Sequence, residues 1–190
     1  SFVDNSFRQI AWAVDAVQEY NEYFANSQTN SERQRWIDWI EACVSVWRDD
    51  YRTQAPYAHI DLILAETAVG NDIPIDVARI AHDNPFCVLG YHPYVPVWQG
   101  ETRPDHWRYY SGRWAYMDDV YLSAGYQVRW FFGEVGAVGH NGPGWPNSLA
   151  ANDGWKHDNV YNGDLQAYLN MMTEWAWLVN ETHAWKTGRV

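Results

Sequence analysis

"AHIDLILAETAVG", residues 58 to 70, sets the fold class. Ile60, Leu62, Ile63, Leu64 and Ala65 follow one another with only Asp61 between them. A strand with one wet face alternates apolar and polar residues, whereas a strand covered on both faces does not. The run therefore predicts a strand of a parallel sheet with helices packed over it. It carries one acid, Glu66, close to its end. A buried carboxylate is costly, so this one needs either a partner or a task.

Three other segments have the same build: "AVQEYNEYF" (16–24), "FCVLGYHPYVP" (86–96) and "QVRWFFGEVGAVGHNG" (127–142). Helical patterns separate them. Residues 5–15 place Phe7, Ile10, Ala11 and Val14 at helical spacing. Residues 30–51 read as a long helix, with Ser31 and Gln34 as a capping box and Trp36, Ile40, Cys43, Val44 and Trp47 as its apolar stripe. Residues 73–84 follow, with Pro74 in the first turn. Residues 112–125 put Trp114, Met117, Tyr121 and Ala124 on one face and stop at Gly125. One aromatic helix over 164–186 closes the series.

Strand and helix thus alternate, which defines an α/β fold with a parallel sheet. The polar residues at the strand ends, 22, 66, 92 and 134, are separated by 44, 26 and 42 positions. A (β/α)8, or TIM, barrel averages roughly 31 residues per unit, so these intervals fit. Four strands do not close such a barrel. The chain is therefore expected to form one partial barrel domain over residues 1–190, a piece of a larger domain. The final "TGRV" reads as the lead-in to a further strand. The missing strands would come from the rest of the polypeptide or from a second copy.

Composition narrows the function. A net charge of −11 argues against nucleic acid or an anionic membrane surface as the main partner. No apolar run reaches the length of a membrane-spanning helix. Two cysteines, Cys43 and Cys87, supply neither a disulfide framework nor a zinc site, and both read as buried thiols. The glycines at 133, 136, 139 and 142 miss the spacing of dinucleotide and nucleotide loops, and no lysine follows them. No metal or cofactor is expected. The 13 tryptophans and 13 tyrosines are the unusual figure. Such rings serve either as platforms for sugar faces or as filling for a large core, and composition does not choose.

Parallel barrels gather chemistry at the C-terminal ends of their strands. Asn21 with Glu22, Glu66, His92 with Tyr94, and Glu134 occupy those ends. Two carboxylates facing each other across one mouth suit glycoside hydrolysis, one protonated and donating, the other ionised and attacking. Each motif has a plain structural alternative. Asn180-Glu181 repeats the Asn-Glu pair inside the last helix, as a solvated face. His92-Pro93-Tyr94 would also make an ordinary strand exit. Glu66 could touch substrate or pair with a neighbouring cation, with support favoured over chemistry. Glu134, between glycines after "RWFF", has little local structural reason to be acidic.

Together, "YNEYF", "GYHPYVP" and "FFGEVG" make the chain resemble the clan A glycoside hydrolases, nearest to family 5 and its relatives. The resemblance covers strand 4 to helix 7 of their barrel. It implies a retaining hydrolase of β-linked oligo- or polysaccharide, with Glu22 as acid/base and Glu134 as nucleophile. It implies that Asn21 binds a hydroxyl beside the anomeric carbon, Tyr94 donates to Glu134, and His92 orients the acid/base or binds sugar. Trp98 and Trp107, then Trp145 and Trp155, fall in the two loops at the mouth, where His140, Asn141 and His157 add polar groups. Of these tryptophans, Trp98 and Trp145 are the sugar-binding candidates put forward. The wording "GEVG" departs from the more usual Thr-Glu-Phe-Gly. Extracellular placement is what the habit of such enzymes implies; "SFVDNSFRQI" itself lacks the build of a signal peptide, which would lie upstream. A rival reading is a barrel-derived carbohydrate-binding or structural module without turnover.

Overall fold

Apolar runs at residues 61–68, 87–92 and 130–132 become neighbouring strands because none has a polar face to offer to water. A computed structural model of the chain describes residues 16–18, 29–68, 71–96, 111–133, 135–138 and 164–190. Strands β1 (Ala16–Gln18), β2 (Asp61–Ala68), β3 (Cys87–His92) and β5 (Trp130–Phe132) form one sheet in that order, and every pairing is parallel. Two short strands, β4 (Tyr94–Pro96) and β6 (Gly136–Val138), pair in parallel just beyond it. Pro93 separates β3 from β4, because its nitrogen has no hydrogen to give to a ladder. The helices are α1 (Asn30–Val46), α2 (Ile75–Asp83), α3 (Arg113–Ser123), α4 (Leu165–Asn180) and α5 (His183–Lys186). The α/β class with a parallel sheet holds. The expected helix over 5–15 lies outside the described residues.

α1 begins two residues earlier than the Ser31/Gln34 reading. Thr29 is its N-cap, with Glu32 closing the box: Glu32 accepts from the Thr29 backbone N–H at 2.8 Å. A carboxylate accepts more strongly than the Gln34 amide and suits the positive helix start. Trp36, Ile37, Ile40 and Val44 are buried along α1, as is Trp47 just past its end, while Cys43 is half-buried. α2 buries Val77, Ala78, Ile80 and Ala81, and Pro74 precedes its first turn as N-cap. α3 buries Trp114, Met117 and Tyr121 and stops at Gly125, whose φ of +89° is left-handed. These side chains meet Leu62, Leu64, Cys87, Leu89, Tyr91 and Trp130 in one core. Each fully buried aliphatic among them contributes about 1.5–3 kcal/mol.

The single helix expected over 164–186 is two. α4 ends at Asn180, and Thr182 starts α5 by accepting from the Trp185 N–H at 3.2 Å while donating to the Val179 carbonyl at 2.7 Å. A threonine hydroxyl that satisfies both ends turns the chain there. Glu181 pairs at the surface with Lys186 at 2.8 Å, so this Asn-Glu pair is solvated.

Beyond α5 the chain returns to the sheet. Arg189 is buried and grips Asp118 of α3 with two bonds of 2.6 and 2.8 Å. Trp130 Nε1 donates to the same carboxylate at 2.9 Å. The Trp130 N–H also donates to the Arg189 carbonyl at 2.6 Å. The neighbouring parallel pairs use the same offset: Leu62 to Phe86 and Leu89 to Arg129. Arg189 therefore lies beside β5, on the side away from β3.

Two outcomes follow. Asp118→Ala strands the Arg189 charge and should lower unfolding free energy in urea by about 3–5 kcal/mol. Burial pushes the Cys87 thiol up to about 12, with Asp61 nearby adding to the rise. Ellman's reagent at pH 8 should therefore modify Cys43 in the folded protein and Cys87 only after unfolding.

Candidate functional site: a buried acid–imidazole pair at the strand ends

The two faces of the sheet differ. On β3, Cys87, Leu89 and Tyr91 belong to the helix-packed core, so Val88, Gly90 and His92 point to the other face. On β2, Leu62 and Leu64 belong to that core, and simple alternation would place Glu66 there as well. An inserted residue prevents this. Leu64 pairs with Leu89 and Thr67 with Tyr91, so β2 advances three residues while β3 advances two. Ala65 sits in the bulge at φ 54°, and both Leu64 and Ala65 join the core. Glu66 is thereby turned to the face that carries His92.

There the two side chains meet. Nε2 of His92 stands 2.6 Å from Oε1 of Glu66, and both residues are 1% exposed. A contact this short holds a proton between the two atoms. The second carboxylate oxygen, Oε2, is buried with no hydrogen-bond partner among the described residues. Leaving such an acceptor unmet costs about 1–3 kcal/mol.

Two glycines make the space. A Cβ at Gly90 would lie 2.7 Å from Glu66 Cβ and 2.9 Å from its Cα. A Cβ at Gly133, at the exit of β5, would lie 1.6 Å from Glu66 Oε1 and 3.0 Å from His92 Nε2. Any other residue at either position collides with the pair. Gly133 itself is exposed, so the pair lies one backbone thickness below the surface. The ladder is irregular here too: the chain advances three positions from Tyr91 to Tyr94 while its partner advances four, from Phe132 to Gly136.

Of the expected site residues, the structure brings Glu66 and His92 together and sets Gly133 against them. The neighbour of Glu66 is thus an imidazole on the next strand. For Tyr94 the backbone is described, paired with Gly136. Asn21, Glu22, Trp98, Trp107, Glu134, His140, Asn141, Trp145, Trp155 and His157 lie outside the described residues. Among the described residues no group of three or more His, Cys, Asp or Glu could hold a metal ion. No helix among them is long and apolar enough to cross a membrane.

Sequence reasoning missed Gly90 and Gly133 as parts of the site. The signal was present, since a glycine inside a strand pattern marks a close approach. The bulge at Ala65 had no signal, because alanine is an ordinary strand-interior residue in its own sequence context. No protein-family model matches the chain, and no curated protein or solved structure is significantly similar to it.

Gly133→Ala should destabilise the protein, and Glu66→Ala should remove the cause. The double variant is expected to be more stable than the two single losses predict, by about 1–2 kcal/mol in a double-mutant cycle. Gly90→Ala meets backbone as well as side chain, so its loss of about 1–3 kcal/mol should persist in the Glu66→Ala background.

Proposed function

We propose that this chain is the strand 4 to helix 7 portion of a (β/α)8-barrel retaining glycoside hydrolase. The observation that carries the reading is the Glu66–His92 pair. It lies at the C-terminal ends of two adjacent parallel strands and touches the glycine that precedes Glu134. Sequential strand order supports the barrel part of the reading, since β1, β2, β3 and β5 lie side by side in chain order and the Trp130 N–H bonds the Arg189 carbonyl on the side of β5 away from β3. The remaining strands would be supplied by the rest of the polypeptide or by another copy.

In this reading Glu134 attacks the anomeric carbon of a β-linked sugar while Glu22 protonates the departing oxygen, and the glycosidic bond breaks. Glu22 then takes a proton from water as that water attacks the glycosyl ester, which frees Glu134 with the configuration retained. Asn21, Tyr94, Trp98 and Trp145 would hold the sugar and the nucleophile. His92 and Glu66 are engaged with each other below the surface, which favours support over direct contact with substrate. The partner is a carbohydrate, no cofactor is required, and the working environment is extracellular.

The test is covalent trapping in the polypeptide that carries the whole barrel. With 2,4-dinitrophenyl 2-deoxy-2-fluoro-β-cellobioside, the protein should gain one glycosyl mass, and peptide mapping should place it on Glu134. Glu134→Gln should abolish both trapping and hydrolysis of the non-fluorinated aryl glycoside while sugar binding persists. Binding by the wild type without any trapping or turnover across a panel of aryl β-glycosides would identify a non-catalytic carbohydrate-binding module instead.

A further inference from the structure

We propose that Glu66, held by His92, is a positioning residue that seats the Gly133 peptide at the exit of β5. Its catalytic consequence, the placement of the next residue Glu134, rests on the glycosidase reading; the seating itself does not.

A tie between β2 and β3 does not require charge. Replacing a buried ionic pair by apolar residues of similar volume is often neutral or stabilising. This chain nevertheless accepts several unfavourable features around the pair. Ala65 occupies the left-handed region at φ 54°, which disfavours a residue with a Cβ. Gly90 and Gly133 leave out side chains that would otherwise fill the face. Glu66 Oε2 is buried without a partner among the described residues. Among the described residues, the pair meets the backbone of the neighbouring strand exit at Gly133. The missing Cβ of Gly133 points at Glu66 Oε1 and at His92 Nε2 together.

The backbone alone holds that point weakly. β5 is three residues long, and the Gly133 N–H reaches the Tyr91 carbonyl only at 3.3 Å. The side-chain pair beneath supplies the rigid surface that a three-residue strand lacks. A misplacement of about 1 Å at a reacting group costs on the order of 100-fold in rate, so such a seat has a use at a catalytic strand end.

Three variants of the full-length polypeptide separate this role from a plain strand tie. Glu66→Gln keeps the shape and the hydrogen bond to His92. Glu66→Asp keeps the charge, withdraws the carboxylate by one methylene, and is the variant least at risk of misfolding. Glu66→Ala removes the seat. Hydrogen exchange followed by mass spectrometry over residues 129–135 should be about tenfold faster in the Asp and Ala variants and unchanged in the Gln variant. With 2,4-dinitrophenyl β-cellobioside, kcat should fall about 100-fold in the Asp and Ala variants, with KM within about twofold, while the Gln variant recovers wild-type kcat. Wild-type exchange over 129–135 in folded Glu66→Asp, whatever its Tm, would overturn the seat. If the wild type neither turns over nor is trapped at Glu134, the glycosidase reading falls, and the exchange measurement still decides the seat.

Discussion

The Glu66 carboxylate occupies the space where three strands come together at their C-terminal ends, and the local backbone is shaped around it. β2 takes an extra residue to bring it to the right face. β3 gives up a side chain at Gly90 so that β2 can approach, and β5 gives one up at Gly133 so that its exit can lie on top. His92 supplies the hydrogen-bonding contact at 2.6 Å that keeps the acid in place. Removing the carboxylate would leave the bulge and Gly133 with nothing to accommodate, while Gly90 would still make room for the β2 backbone. Removing the glycines would expel the carboxylate.

The opposite end of the sheet is built for a different purpose. Asp61, the first residue of β2, pairs with Arg129 at 2.8 Å, and Arg129 also donates to the Pro85 carbonyl at 2.6 Å. Arg52 and Trp47 both donate to the Ile60 carbonyl just before β2. These are ties between strand entrances and helices, with every named donor given an acceptor. Asp118 and Arg189 do the same between α3 and the segment beside β5. The entrances are closed by satisfied polar contacts, whereas at the exits one carboxylate oxygen has no hydrogen-bond partner among the described residues and lies beneath an exposed glycine.

Much of the architecture was legible residue by residue. The apolar run at 62–65 called for a strand covered on both faces, and β2 is one. Gly125 marked the end of α3 because a left-handed residue was needed there. The misreadings are equally specific. Ser31/Gln34 and Thr29/Glu32 both carry a hydroxyl followed three places later by an acceptor, and the stronger acceptor prevailed. Residues 164–186 show continuous helical apolar spacing, but the Thr182 hydroxyl bonds both ways and breaks it. In the candidate site, Glu66 and His92 were recognisable as strand-end polar residues, while their mutual contact was not.

The sequence by itself determined the positions of most of the described strands and helices, that the sheet is parallel, and that Glu66 and His92 stand near strand ends. Those properties depend on periodicity and on the chemistry of single residues, and both are local. Only the tertiary structure decided that Glu66 faces His92. Facing depends on register between strands, and one inserted residue at Ala65 reverses it without altering any local pattern. The same holds for Gly133. Its missing side chain has meaning only because a carboxylate from a strand two places away in the sheet, and 67 residues away in the chain, fills the position.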